Sequence, residues 1–477
     1  MDESEEVRVV EMVEETRMYR SCPPLYQVRR YSSRHEEQRS KEEEEAQCSY
    51  STNEEEEGGK GSYCSEEYLS SRLRATLGGG GGGGLYSEYD DSAVAAPSSS
   101  MLNNHHYASR DMELEEEQRE EDFETRRRRS GVEEEEHRQR ETDRYGFLTA
   151  PSQSTPSPSE ALLPVGKLRK REQKWITMLD EWPMFMNKKY EKVRSRCWKG
   201  IPPSMRGKAW KYLCGAYYHM NNERSKTVFE QLDGHRGESG WVEDIRKDLD
   251  RQFPEHELFS REGPYGTLGR EDLFRLLKAY TVLHPEEGYC QGQAPVAATL
   301  LMHMPLKDAF YCFVQICHKY LPGYYSPGLE AVQLDGDILQ ELLRKKLPHV
   351  FKHLRGNNVE PVLYMVEWFM CVYCRTLPWA CVLRVWDIFF CEGVKVLFKV
   401  ALVLFKYGLG QSKAQLRQFP EMYQILERLR HLPPMIMEEE FLISKVRELR
   451  LDDEELEKIH YKAYKRRQTA QNSSPAT

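Results

Sequence analysis

The chain has 477 residues, 30% of them charged, with a formal net charge of −9. The first 160 residues hold 38 of the 77 acidic and 20 of the 68 basic side chains, a net of −18, so the remainder carries +9. An acidic arm on a basic body is the pattern. No stretch reaches the ~18 uninterrupted apolar residues of a membrane span, and the twelve cysteines are scattered among apolar residues rather than spaced as a disulfide framework.

Residues 1–165 read as a disordered, acidic, low-complexity region. They contain "KEEEEAQ", "NEEEEGGKG", seven consecutive glycines (Gly78 to Gly84), "RRRRSG" and "PSQSTPSPSE". Such segments bury too little apolar area to offset a backbone ordering cost of roughly 1–2 kcal/mol per residue. The glycine run lacks the Gly-Lys-Ser/Thr ending of a phosphate-binding loop and reads as a linker. Thr155 and Ser157 precede prolines and are candidate phosphorylation sites, within what is otherwise an ordinary linker. One island, "DRYGFL" (Asp143 to Leu148), is more apolar than its surroundings and is a candidate docking element. Met1 is followed by acidic residues instead of a basic, then apolar, leader, so a cytoplasmic location is expected.

From about Gly166 the texture changes. Tryptophans stand at 175, 182, 198, 210 and 241, where the first 160 residues have none. Apolar residues recur at helical spacing, period-two alternation is scarce, and prolines and glycines punctuate the helices. The expectation is an all-α domain over 166–462 and a disordered polar tail over 463–477. "PPSMRGKAWKYLCGAYY" gives a proline-led helix with Met205, Ala209, Leu213 and Ala216 on one face. In "WVEDIRKDLDRQFP" a helix stacks Ile245, Leu249 and Phe253 toward the core. Asp248 and Arg251 lie on its other side, three apart and therefore neighbours. Pro254 disfavours helix at Phe253 and places Arg251 at or near the helix end. The pair is either a solvated surface ion pair or an arginine held by a carboxylate and projected at a partner; this stretch alone leaves both open.

"HPEEGYCQGQAPVAATLLMHM" turns at Pro285 and Gly288 and then enters a buried helix, which puts Gln291 at a turn-to-helix junction. Tyr289 can pack beneath it. Cys290 lacks a triad pattern and any cause for a lowered pKa, so it reads as a core cysteine and not a nucleophile. "CVYC" (Cys371 to Cys374) is a lone C-x-x-C in an apolar helical pattern and reads as core packing, not as half of a metal site. The apolar run from Val394 to Leu409 is broken by Lys395, Lys399 and Lys406. No G-x-G-x-x-G follows a strand, and "KLRKREQK" lacks interleaved aromatics, so neither a nucleotide site nor nucleic-acid binding is expected.

Three segments then fall in order: "RGKAW" (Arg206 to Trp210), "IRKDLDR" (Ile245 to Arg251) and "YCQ" (Tyr289 to Gln291). They resemble the R-x-x-x-W, I-x-x-D-x-x-R and Y-x-Q motifs of TBC domains, the GTPase-activating domains for Rab GTPases. "EWFMCVYCRTLPWACVLRVWDIFFCEG" resembles the late block of that family, and the resemblance covers about 170 to 440. Gly292-Gln293-Ala294-Pro295 stands where the family usually has Gly-Met-Asn. With "LPGYYSPGLEAVQLDGD" this is similar to the subfamily that includes interactors of ezrin-binding scaffold proteins. The terminal Pro475-Ala476-Thr477 lacks the Ser/Thr-x-apolar form by which some of those bind PDZ domains.

The resemblance implies a two-lobed helical domain that supplies residues in trans to a Rab-family GTPase in membrane traffic. Arg251 would be the arginine finger and Gln291 the glutamine finger. Asp248 would orient Arg251, Tyr289 would support the partner contact, and Arg206 and Trp210 would brace the fold, with Asp387 structural. No metal or cofactor belongs to the chain; GTP and Mg²⁺ arrive on the GTPase. The basic body suits an acidic GTPase surface or an anionic leaflet at plasma or endosomal membranes. The alternative is a non-catalytic scaffold that binds small GTPases or their effectors.

Overall fold

A computed structural model describes residues 142–149, 164–223 and 225–473. The acidic region, its glycine run, Thr155 and Ser157 lie outside the described residues, with the exception of 142–149 and 164–165. Helices come first in a run that frames the entry to the domain: α1 (Val165–Asp180), α2 (Trp182–Lys188), α3 (Tyr190–Trp198), α4 (Pro203–Cys214) and α5 (Ala216–Met220). Next are α6 (Val228–Gly234), α7 (Ser239–Leu249), α8 (Gly266–Leu283), α9 (Gln293–Leu301) and α10 (Leu306–Gln315). The later helices are α11 (Glu330–Lys346), α12 (Pro348–Gly356), α13 (Val362–Met365), α14 (Trp379–Glu392) and α15 (Lys395–Gly408). Last come α16 (Lys413–Leu416), α17 (Met422–Arg430), α18 (Glu439–Glu448) and α19 (Asp453–Ser473). Single π turns follow α10 and α13, at Ile316–Tyr320 and Val366–Met370. Among the described residues the extended pairing is confined to two isolated antiparallel bridges, Thr142 with Leu148 and Phe147 with His256.

Two helices organise the packing. The long α8 touches α6, α7, α9 and α10, while α14 touches α3, α4, α15 and α18. Both groups share one continuous apolar core. Trp175, Trp182, Trp210, Trp368 and Trp386 are among its largest fully buried side chains. Each such side chain contributes on the order of 2–3 kcal/mol by burial. The all-α expectation holds, and the core follows the apolar periodicity.

Four local expectations change. Proline at the first turn starts α4, but Gly215 at φ 91° ends it, so Ala216 opens the next helix and does not share a face with Met205. Helix α7 ends at Leu249, and Phe253 adopts φ 42° outside any helix. Around "CVYC" the helical pattern stops at Met370. Val372 and Tyr373 are left-handed, and Cys371 and Cys374 are buried in the turn between helices. Helix α19 runs to Ser473, past the expected folded limit at 462. It packs along α11, where Arg467 pairs with Asp337 at 2.6 Å. That contact gives a polar segment a reason to stay helical.

The lysine-broken apolar run is α15. Lys399 is buried with its ammonium 5.2 Å from the Trp198 ring centroid, and burial lowers its pKa to about 8. No helix of the described residues is long and apolar enough to cross a membrane.

Candidate functional site

Helix α7 carries the first half of the site. Ile245 is fully buried on its core side, as the periodicity predicts, but Asp248 is also buried. The chain beyond Leu249 continues in tight turns, with the Arg251 amide donating to Asp248 O at 3.4 Å and the Gln252 amide to Leu249 O at 3.2 Å. The buried Gln252 side chain donates from Nε2 to the same Asp248 O at 3.0 Å, which adds a side-chain donor to a carbonyl at the helix end. Phe253 then takes its left-handed φ, a conformation costing roughly 1–2 kcal/mol for a residue with a Cβ. Its ring sits 5.5 Å from Trp379 and 6.5 Å from Phe147, and these contacts hold it there.

The turn after α8 carries the second half. Gly288 closes it, its amide donating to His284 O at 2.9 Å, with φ 63°. A Cβ at Gly288 would run into the indole of Trp241. Trp241 belongs to α7, so this glycine lets the turn lie flat on the helix that carries Asp248. Next, Tyr289 is buried and donates its hydroxyl to Asp248 Oδ2 at 2.7 Å. Burial, and then the Asp248 carboxylate, push the Tyr289 pKa far up. The hydroxyl therefore stays a donor.

Asp248 gives its other oxygen, Oδ1, to Arg251 Nη2. Its side chain is 8% exposed and that of Arg251 is 48% exposed. With one partner half in water the pair is worth about 0–1 kcal/mol, so its consequence is geometric. It aims a guanidinium outward from a buried anchor. Gln291 is exposed beside it. With its amide oxygen turned to Arg251, it accepts from Nη1 at 2.8 Å and from Nη2 at 2.5 Å. Behind it, the Cys290 amide donates to Gln293 Oε1 at 3.2 Å and the Gln293 amide to Cys290 O at 2.8 Å. This reciprocal pairing fixes the start of α9. Sequence reading passed over Gln293 and Gln252, both buried polar side chains that fix the backbone on either side of the site. Their signal is no more than a glutamine next to an apolar run.

Cys290 lies between the two with its thiol pKa raised by burial. It is not an activated nucleophile.

Arg206 and Trp210 do not reach Arg251 or Gln291. They converge on Asp387 of α14, fully buried. Arg206 Nε and Trp210 Nε1 donate to Oδ1 at 3.2 and 2.9 Å. The Ile201 amide donates to Oδ2 at 2.7 Å. Burial raises the Asp387 pKa and Arg206 opposes that. The hub meets the site through aromatic rings: Trp210 lies 4.9 Å from His303, His303 6.3 Å from Trp379, and Trp379 5.5 Å from Phe253.

The Rab-GTPase-TBC domain family matches residues 203–411. The chain is 43% identical over 337 residues to TBC1 domain family member whacked of Drosophila melanogaster, covering 70% of this chain and 91% of that protein. It is 44% identical over 320 residues to Carabin of Mus musculus, covering 67% and 70%. The chain belongs to the TBC-domain family. It is also 51% identical over 322 residues to TBC1 domain family member 10A of Mus musculus, covering 68% of this chain and 63% of that relative. The match thus spans less than two thirds of that relative's own length. Asp248, Arg251, Tyr289 and Gln291 lie inside the matched TBC region, as do Arg206, Trp210 and Asp387; residues 142–149 lie outside it.

Proposed function

We propose that this chain is a GTPase-activating protein for Rab-family GTPases, with Arg251 and Gln291 supplied in trans to the bound GTP. One observation carries the reading. Two exposed side chains able to serve phosphoryl transfer stand in contact, while the groups that fix them are buried. Hydrolysis of GTP needs charge neutralised on the transferring phosphoryl group and a water aligned for attack. A guanidinium stays charged and can fork across phosphate oxygens. A primary amide offers both a donor and an acceptor, which suits it to orient a water between itself and the γ-phosphate. Asp248 and Tyr289 hold the arginine on its helix end. The Asp387 hub holds α4 against α14. GTP and Mg²⁺ come with the GTPase, and the chain's own part is positioning and charge.

The test is single-turnover GTP hydrolysis by a panel of Rab GTPases with the whole chain. At least one is expected to be accelerated. Arg251→Ala is expected to lose on the order of 10³-fold of the acceleration and Gln291→Ala about 10²-fold, with melting temperatures unchanged. Full activity in both variants would sink the two-finger assignment. Binding of a GTP-loaded Rab with no rate change in the wild-type chain would favour a non-catalytic scaffold instead.

A further inference from the structure

Residues 142–149 stand upstream of the matched TBC region, yet they fold onto the loop that follows Arg251. They form a small preorganised hairpin. Asp143 Oδ1 accepts from the amides of Tyr145 at 2.8 Å and Phe147 at 2.9 Å. The Asp143 amide donates to Phe147 O at 2.8 Å, and Gly146 turns the chain at φ 91°. This hairpin lays its backbone on residues 255–257. The Leu148 amide donates to Glu255 O at 2.7 Å, and the Glu257 amide donates to Gly146 O at 2.8 Å. His256 is buried between them. Its Nδ1 accepts from the Leu258 amide at 3.1 Å, which leaves Nε2 to carry the proton and donate to Tyr145 O at 3.0 Å. A Cβ on Gly146 would sit 2.7 Å from that Nε2. Glycine is therefore required twice, by conformation and by space.

The Phe147 ring completes the clasp. It lies 5.0 Å from His256, 5.3 Å from Trp379 and 6.5 Å from Phe253. Phe253 is the left-handed residue two positions after Arg251, and its ring packs against both Trp379 and Phe147, which also touch each other. Between Leu249 and Gly266 the described chain has no helix or strand of its own. Its conformation rests on tight turns, among them the His256 amide donating to Phe253 O at 2.9 Å, and on these side contacts. Without Phe147, one wall of the Phe253 site is gone, and a strained residue relaxes when its surroundings no longer over-determine it. A change in φ at 253 turns the chain on one side of that residue against the other, two residues from Arg251.

We infer that the 142–149 hairpin is a positioning element for Arg251 and that Phe147 is its positioning residue in GTP hydrolysis. The inference rests on the proposed activity for the reaction, and on the loop geometry for the mechanism. It makes a segment outside the TBC region part of what sets the rate, because a misplacement of about 1 Å can cost a reaction ~10²-fold.

The experiment compares whole-chain Phe147→Ala, Phe147→Tyr and Gly146→Val with wild type. Hydrogen exchange of the 250–257 amides is read first, with no GTPase present. Phe147→Ala and Gly146→Val are expected to raise exchange there at least ~10-fold while α8 and α14 stay protected, and Phe147→Tyr is expected to stay near wild type. Hydrolysis is read next against GTPase concentration. Phe147→Ala is expected to lower kcat ~10-fold or more with KM changed less than ~3-fold. Added to Arg251→Ala, it is expected to cost nothing further. Unchanged exchange in both disruptive variants overturns the proposal whatever the rates do. So does an equal loss of kcat with and without Arg251, which marks a general loss of fold. A wild-type chain that accelerates no GTPase overturns the proposed function. Because exchange needs no GTPase, that failure is distinct from failure of the clasp.

Discussion

Tyr289 donates its hydroxyl to the Asp248 oxygen that Arg251 does not use, at 2.7 Å. One buried carboxylate thus ties the Y-x-Q turn to the end of α7 and the arginine just beyond it, across 41 residues of sequence. The arrangement departs from one of the two readings of "DLDR", the solvated surface pair. A solvated i,i+3 pair would leave both side chains in water, whereas here the acid is buried and the base is not.

The three ways of damaging this tie differ in what they leave behind. Asp248→Ala strands a buried tyrosine hydroxyl and frees Arg251, costing about 1–3 kcal/mol of stability and about 10²-fold in kcat. Asp248→Asn keeps the volume but loses the charge that holds the guanidinium, so kcat falls ~10-fold with little change in melting temperature. Tyr289→Phe removes one neutral donor and costs about 1 kcal/mol, with the rate nearly kept. Single-turnover rates and thermal melts on the same preparations check the order. A Tyr289→Phe loss as large as that of Asp248→Ala would contradict it.

Much of the fold and site was legible from residue spacing, for identifiable reasons. The all-α class followed from apolar periodicity, which is a property of the chain itself. The neighbouring of Asp248 and Arg251 followed from an i,i+3 separation near a proline. The contact between Arg251 and Gln291 was not derivable from either segment, because it depends on Gly288 letting a turn lie on Trp241. The resemblance to a family implied only that the two residues act as fingers, and not that they touch. Pro254 put the end of α7 near Arg251, two residues past Leu249, but the apolar pattern that continues to Phe253 hid the left-handed turn there. Tertiary contacts with Trp379 and Phe147 outweigh that pattern. The continuation of α19 was missed because its support comes from α11, more than a hundred residues upstream, and not from its own composition.

Substitutions at the Asp387 hub are expected to change the stability of the domain more than any GTPase activation. Asp387 has three donors within 3.2 Å, from Ile201, Arg206 and Trp210. Arg206→Ala leaves a carboxylate buried with neutral donors alone, and breaking a buried pair in this way costs about 3–5 kcal/mol. Trp210→Phe keeps most of the ring and removes one donor, for about 1–2 kcal/mol. Denaturant midpoints are expected in the order wild type, Trp210→Phe, Arg206→Ala. Whatever fraction of Arg206→Ala remains folded is expected to activate GTPase nearly normally, since Arg206 does not touch Arg251 or Gln291. A stable but inactive Arg206→Ala chain would place Arg206 in the site instead.

Cys290 gives a direct check on the orientation of the Y-x-Q turn. Burial raises its thiol pKa, and the side chain is packed against the core. At pH 7 a maleimide or iodoacetamide is expected to modify it at least ~10-fold more slowly than a free thiol, because the thiolate is the nucleophile. Cys290→Ala is expected to keep most GTPase activation. Rapid labelling coupled to loss of activity would instead mean that Cys290 faces outward where Gln291 is placed.

Acid sensitivity follows from buried imidazoles. Burial lowers the pKa of His318 to about 3 and that of His219 to about 4, and it takes that of His303 well below its ordinary value. The unfolded chain protonates these groups near pH 6.5. Between that value and the folded pKa the unfolded state binds more protons, so stability is present above about pH 6.5 and is lost as pH falls toward 3–4. Asp335 works against this slope. Burial raises its pKa to about 7, and its contribution weakens as pH rises from about 4 to 7. Asp272 and Asp387, whose pKa values burial also raises, act in the same direction as Asp335, and His256, whose pKa burial lowers, joins the other imidazoles, so the contribution of one imidazole is read at a single site. The single-site test is His318→Asn. His318 Nε2 lies 2.7 Å from His284 Nε2, one ring donating and the other accepting, and burial, then the neighbouring imidazole, disfavours a charge on the His318 ring. An amide cannot acquire that charge. The variant is therefore expected to be less stable than wild type at pH 7.5 and to lose less stability between pH 6.5 and 5. Denaturant unfolding at several pH values measures both slopes, and parallel slopes would show that His318 does not take part in the acid response.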